Sequence, residues 1–246
     1  MNEVFLNRCF ASPLKPSASS LFDCSGVNSQ RIKSWVTNQY NSAIYYSEEE
    51  RNSLAHLIPL LLCGEQSAQL VFNNEINRIL ASNEETCSSV TQSLMEVETD
   101  EMVHDMALQQ VQSELPIVEH MIDIQRQAKR FYLQLGRVNS YCEHFVRIAI
   151  LDTCVTQIMH EFEHSGLGKG HPFAILCGLI KKDEAKHVYV AKHHAQYLGA
   201  SKAMFAAEHE MVLPKLYTLL SSQSAHFEAL GIELTQVFTK LEDKWA

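Results

Sequence analysis

The sequence predicts an all-α protein built on four long helices joined as two hairpins. Three features carry this reading. Strand-like alternation of apolar and polar residues is scarce, and the 246 residues include only nine glycines and six prolines. Apolar residues instead recur at helical spacing through long segments, separated by short polar or glycine-rich breaks. With 46% hydrophobic residues, the chain can bury a sizeable core as one domain over residues 29–246. An irregular arm rich in Ser, Asn and Pro, residues 1–28, precedes it.

The first long helix is expected over about 48–81. Ser47 followed by Glu50 has the spacing in which a hydroxyl and a carboxylate close a helix N-terminus reciprocally, and Pro59 is expected to bend the helix. The polar run from Ser82 to Thr86 breaks it before a second helix, about 86–114. Pro116 then starts a connecting helix of about 117–134, which Gly136 and Asn139 separate from a third long helix, about 139–163. Residues 164–173 hold three glycines and a helix-starting Pro172, the clearest turn in the chain. The fourth long helix follows over about 172–198, closed by Gly199, with His193 and His194 expected to face solvent near its end. From Ser201 the tail reads as two further helices split near residues 221–225.

Composition excludes several functions. A net charge of −9 offers no basic field for phosphates, so neither nucleic acid nor an anionic membrane surface is an expected partner. No apolar run reaches the roughly 18 residues that cross a bilayer, and the first twenty residues lack the basic-then-apolar order of a secretory signal; the expected location is the cytoplasm. The seven cysteines, at 9, 24, 63, 87, 142, 154 and 177, are odd in number and form no Cys-x-x-Cys pair, which predicts reduced thiols.

The chemistry lies in a repeated motif. Asp100, Glu101 and His104 repeat the Asp-Glu-x-x-His order of Asp183, Glu184 and His187. Residues three apart on a helix share a face, so each Glu and His can grip a cation from one side. With 22 Glu and 12 His, about one Glu-x-x-His is expected by chance, and Glu161 with His164 supplies it; two copies preceded by Asp, drawn from only seven, are a different matter.

Antiparallel hairpins provide a geometric test, because residues equidistant from the turn face each other. Reflecting Glu101 through a turn near residue 83 lands on Glu65; reflecting Glu184 through a turn near residue 168 lands on Asp152. Both acids stand in apolar helical segments, where an unpaired carboxylate is costly to bury. Glu143, His160 and Glu161 are alternative groups on the third helix; Glu161 lies about 13 Å beyond Asp152 along the axis and needs a shifted register to face Glu184. Four acids and two imidazoles suit two iron or manganese ions better than zinc.

Glu65, the two Asp-Glu-x-x-His motifs and Asp152 together resemble the di-iron carboxylate branch of the ferritin-like superfamily, over about residues 48–198. That branch includes bacterial monooxygenases, acyl-carrier-protein desaturases, ribonucleotide reductase small subunits and p-aminobenzoate N-oxygenases. The resemblance implies a ferritin-like four-helix bundle with additional C-terminal helices. It implies Glu65, Glu101, His104, Asp152, Glu184 and His187 as metal ligands, with Asp100 and Asp183 each orienting an opposing ligand His. Three departures stand out: Asp152 replaces the usual Glu, Val103 and Lys186 replace an Arg often found before the His, and Leu108 stands where many reductase subunits have a radical-storing Tyr.

The activity implied is that of a di-iron oxidase or oxygenase, with two Fe ions, or Mn or mixed Mn/Fe, activating O2. The reaction would be hydroxylation, desaturation or N-oxygenation of a small or carrier-bound organic substrate. No dinucleotide-binding fingerprint or iron–sulfur spacing is present, so electrons are expected from an external ferredoxin or reductase; a homodimer is left open. The contrasting reading is a non-catalytic or ferroxidase-type metal-binding relative.

Overall fold

A computed structural model describes residues 8–10, 26–40, 44–82 and 88–244. Among these every regular element is helical: α1 Val27–Tyr40, α2 Glu48–Ala81, α3 Ser88–Ser113, α4 Met121–Leu135, α5 Tyr141–Glu163, α6 Pro172–Tyr197, α7 Lys202–Ser221, α8 Ser224–Ala229 and α9 Leu234–Asp243. None of these helices is long and apolar enough to cross a membrane.

Local chemistry sets the boundaries. Ser47 and Glu50 close the capping box of α2, and α2 runs through Pro59 unbroken. Ser140 caps α5, and His171 caps α6 with Pro172 in its first turn, where a missing N–H is harmless. Pro116 does not start α4. Residues 115–120 form a turn that buries Leu115 and Val118, and the helix begins at Met121. The tail holds three helices rather than two. Gly231 adopts φ 74° after the short α8, and Gly166 N–H donates to the Leu230 carbonyl, which pins this corner to the α5–α6 turn. The proposed α2–α3 turn centre, residue 83, lies outside the described residues.

Packing is hierarchical. α5 lies along α6 and α2 along α3, and the two pairs meet where α3 touches α6. α1 bridges α3 and α6, α4 covers α2, and α7 covers α5 while touching α4. α2 and α5 share at most isolated contacts, so a gap remains between them beneath α4 and α7. Phe72 and Phe145, both fully buried, meet edge to face at 5.7 Å within the core.

Two further expectations are corrected. Cys9 and Cys63 form a disulfide across 54 residues, with Cα atoms 5.4 Å apart. Segment 8–10 is drawn against α2, where Gln66 Oε1 accepts from the Cys9 N–H at 2.9 Å, and Phe10 packs edge to face on Tyr132 at 6.5 Å. Residues 1–7 and 11–25 of the predicted arm lie outside the described residues, as does Cys87, and the arm's last two residues, 27 and 28, already belong to α1; Cys142, Cys154 and Cys177 are free thiols. The cysteine pattern therefore no longer argues for a reducing compartment. His194 is the second correction. It is buried, because Glu75 on α2 accepts its Nε2–H at 2.7 Å, while Arg78 holds both oxygens of the same carboxylate at 2.7 Å.

Candidate metal centre

Glu65 from α2, Glu101 and His104 from α3 and Glu184 from α6 each direct one ligand-capable atom to a common point, with these atoms within 4.8 Å of one another. All four side chains are buried. His187, one helical turn beyond Glu184, joins them: its Nδ1 lies 3.1 Å from Glu101 Oε1 and 3.6 Å from Glu184 Oε1. His104 mirrors it, with Nδ1 3.2 Å from Glu65 Oε2 and 3.4 Å from Glu184 Oε1. The two imidazole rings face each other with centroids 5.7 Å apart.

The far side of each ring is fixed by the opposite helix. His104 Nε2–H donates to Asp183 Oδ2 at 3.1 Å, and His187 Nε2–H donates to Asp100 Oδ2 at 3.4 Å. Each aspartate thus directs the other motif's Nδ1 toward the acids, the arrangement by which outer carboxylates orient ligating imidazoles. Asp100 is held in turn by Lys186 and by Ser29 of α1. Lys186 therefore places a cation against the outer side of Asp100.

Asp152 of α5 lines the same buried space as Glu65, Glu101 and Glu184. The other candidates on α5 turn elsewhere: Glu143 to Arg147, Glu161 to Lys240 and Gln157, and His160 toward Lys181. The chance motif Glu161/His164 therefore takes no part. His160, Glu163 and His164 also gather within 4.8 Å nearer the surface, but the Lys181 ammonium already contacts Glu163 and lies 3.4 Å from His160 Nδ1.

Electrostatics make the buried centre unusual. Burial, then Glu65 and Glu184, push the Glu101 carboxyl well above its ordinary range; burial and Glu184 do the same to Asp152. Burial would also raise Glu184, but His187 first and then the close approach of His104 bring it down to about 2. Burial disfavours charge on His104 and His187, yet the surrounding acids more than offset it and raise both above the usual histidine range. Protons therefore take up negative charge that cations would otherwise balance.

The residues fit two divalent cations. Four carboxylates balance two doubly charged ions, and hard oxygen donors with one imidazole each suit iron or manganese. Asp152 Oδ2 is buried and finds no hydrogen-bond partner among the described residues, and His187 Nδ1 approaches Glu101 Oε1 at 3.1 Å without the alignment of a hydrogen bond. Such an orphaned oxygen is expensive unless something else coordinates it.

Several residues of the site carried no signal in the sequence. Asp105, next to His104, accepts from Arg8 at 2.9 Å, Gln66 at 2.9 Å and Gln109 at 2.8 Å. Tyr132 of α4 places its hydroxyl over Gly64, where a Cβ would come within 2.9 Å of it, and joins the lining of the cavity beside Glu65. Burial, and after it the four acids, push its phenol above the ordinary range. Glycine preceding Glu65 was the one available clue. Comparison of the chain with family models, with curated proteins and with solved structures returns no match.

Proposed function

We propose that this protein is a ferritin-like four-helix-bundle oxidase or oxygenase that uses two iron ions to activate O2 against an organic substrate. One observation carries the reading. Two Glu-x-x-His motifs on facing helices converge through their Nδ1 atoms, each anchored by the other motif's aspartate, around buried acids of which Asp152 keeps one oxygen without a hydrogen-bond partner among the described residues.

Glu65, Glu101, His104, Asp152, Glu184 and His187 would hold the two ions. Such a pair supplies two-electron reduction of O2, each ion changing by one electron. The protein's own residues prepare the space. Asp183 and Asp100 keep Nε2 protonated so that the Nδ1 lone pairs face inward, and Lys186 neutralises Asp100 outside the centre. Apolar residues from α2, α5 and α7 line the neighbouring cavity. No dinucleotide fingerprint or iron–sulfur spacing appears in the chain, so a separate donor would supply electrons.

The test is O2 consumption by anaerobically prepared protein loaded with ferrous iron. Wild type should consume O2 faster than free iron at the same concentration, and Glu184→Ala should fall to the free-iron rate. Equal rates for wild type, variant and free iron would refute the proposal.

A further inference from the structure

The end of α5 carries a second group of metal-ligating side chains, apart from the buried acids. Residues 160–164 read His-Glu-Phe-Glu-His, so one helical turn presents two imidazoles four residues apart, the spacing of His-Glu-x-x-His helices that hold zinc. His160, Glu163 and His164 each offer one ligand-capable atom, and these atoms lie within 4.8 Å of one another. His160 stands eight residues beyond Asp152, about 12 Å further along the axis, so this group is separate from the buried centre.

The place already attracts a cation. The Lys181 ammonium of α6 lies there, in contact with Glu163 and 3.4 Å from His160 Nδ1. An ammonium only donates, so His160 Nδ1 faces it with a lone pair, the state in which an imidazole ligates a metal. His164 Nδ1–H donates to the His160 carbonyl at 2.9 Å, which leaves a lone pair on Nε2. Room for the carboxylate comes from Gly178 on α6, where a Cβ would stand 2.6 Å from Glu163 Oε1. Because α5 ends at Glu163, the partial negative charge of its C-terminus also favours a cation here.

We propose that His160, Glu163 and His164 bind a zinc ion at the surface, in place of the Lys181 ammonium. Two nitrogen donors and one oxygen suit zinc, with a water as the fourth ligand, whereas the oxygen-rich buried centre suits iron or manganese. Lys181 is a weak competitor: its side chain is partly exposed, and ion pairs of that kind contribute little. The ion is held rather than used to hydrolyse peptides. Glu161, the base that a His-Glu-x-x-His peptidase needs, accepts instead from Gln157 at 2.6 Å and Lys240 at 2.8 Å. Bound zinc would fix the last turn of α5 at the entry to the glycine-rich turn, stabilising only the folded state.

Calorimetric titration with zinc chloride of the untagged, full-length protein carrying Glu101→Ala and Glu184→Ala, which disable the buried centre, isolates this site. The expected result is one zinc bound per chain. In the same background His160→Ala and His164→Ala should each weaken zinc binding at least about tenfold, a loss of about 1.4 kcal/mol, with circular dichroism unchanged. Lys181→Met, which removes the competing ammonium, should tighten it at least about threefold. No zinc bound in the disabled background, unaltered affinity in both folded histidine variants, or weaker binding by Lys181→Met would overturn the proposal. The iron content of wild type, measured separately, tests the buried centre independently of this site.

Discussion

Glu101 illustrates how one residue can be costly to the fold and necessary to the site. Its carboxyl is buried among Glu65, Glu184 and Asp152, and its partner His187 is held by Asp100 from behind. Without cations the group folds only by taking up a proton. Replacing it with an apolar residue of similar size removes the desolvation cost together with the ligand. Glu101→Met should therefore lose bound metal while its metal-free form melts no lower than metal-free wild type, gaining on the order of 1 kcal/mol. A metal-free variant that melts well below wild type would show that Glu101 stabilises the fold without cations. Asp152 offers a complementary lesson. Its register opposite Glu184 follows from the constant helical rise and could be read by reflection through a glycine-rich turn. Its status among the acids of α5 could not, because it depends on Glu143 and Glu161 finding Arg147 and Lys240 instead.

At the level of elements, the long helices and the motifs they carry were legible because periodicity, capping and turn residues are local signals. Contacts between segments distant in sequence were not. Nothing periodic announces that Ser29 meets Asp100, that Glu75 draws His194 inside, or that Cys9 reaches Cys63. The packing of α4 on α2 belongs to this class and makes a sharp test. Gly64 leaves room for the Tyr132 hydroxyl, and a Cβ there would stand 2.9 Å from it but 3.7 Å from the next ring atom. Gly64→Ala should cost about 1–3 kcal/mol by overpacking. In a Tyr132→Phe background, where the clashing oxygen is gone, the same change should instead stabilise by about 0.5–1 kcal/mol through helix propensity. Chemical denaturation of the four proteins would show the change of sign; the same cost in both backgrounds would refute the contact.

The whole molecule stores acid sensitivity in buried carboxylates outside the acid cluster. Burial works against Glu75, but hydrogen bonds from Arg78 and His194 hold it at about 2, below its ordinary 4.5. A carboxylate depressed on folding contributes stability above its unfolded pKa, and that contribution is lost as pH falls through the folded value. Metal-free wild type should therefore lose on the order of 3 kcal/mol between about pH 4.5 and 2 through this group, and Glu75→Gln should flatten that part of the stability curve. Equal acid slopes for the two proteins would refute the assignment. Metals would add stability at the centre, since a ligand bound only by the folded state raises the melting temperature in proportion to the logarithm of its concentration.

The central claim is that six side chains from four helices gather two cations. Its most direct measurement is elemental analysis of the purified protein after incubation with ferrous iron and desalting without oxygen, beside Glu101→Ala and Glu184→Ala prepared identically. The expected result is two irons per wild-type chain and fewer than one in either variant. Wild type without bound iron, or variants that retain two, would contradict it.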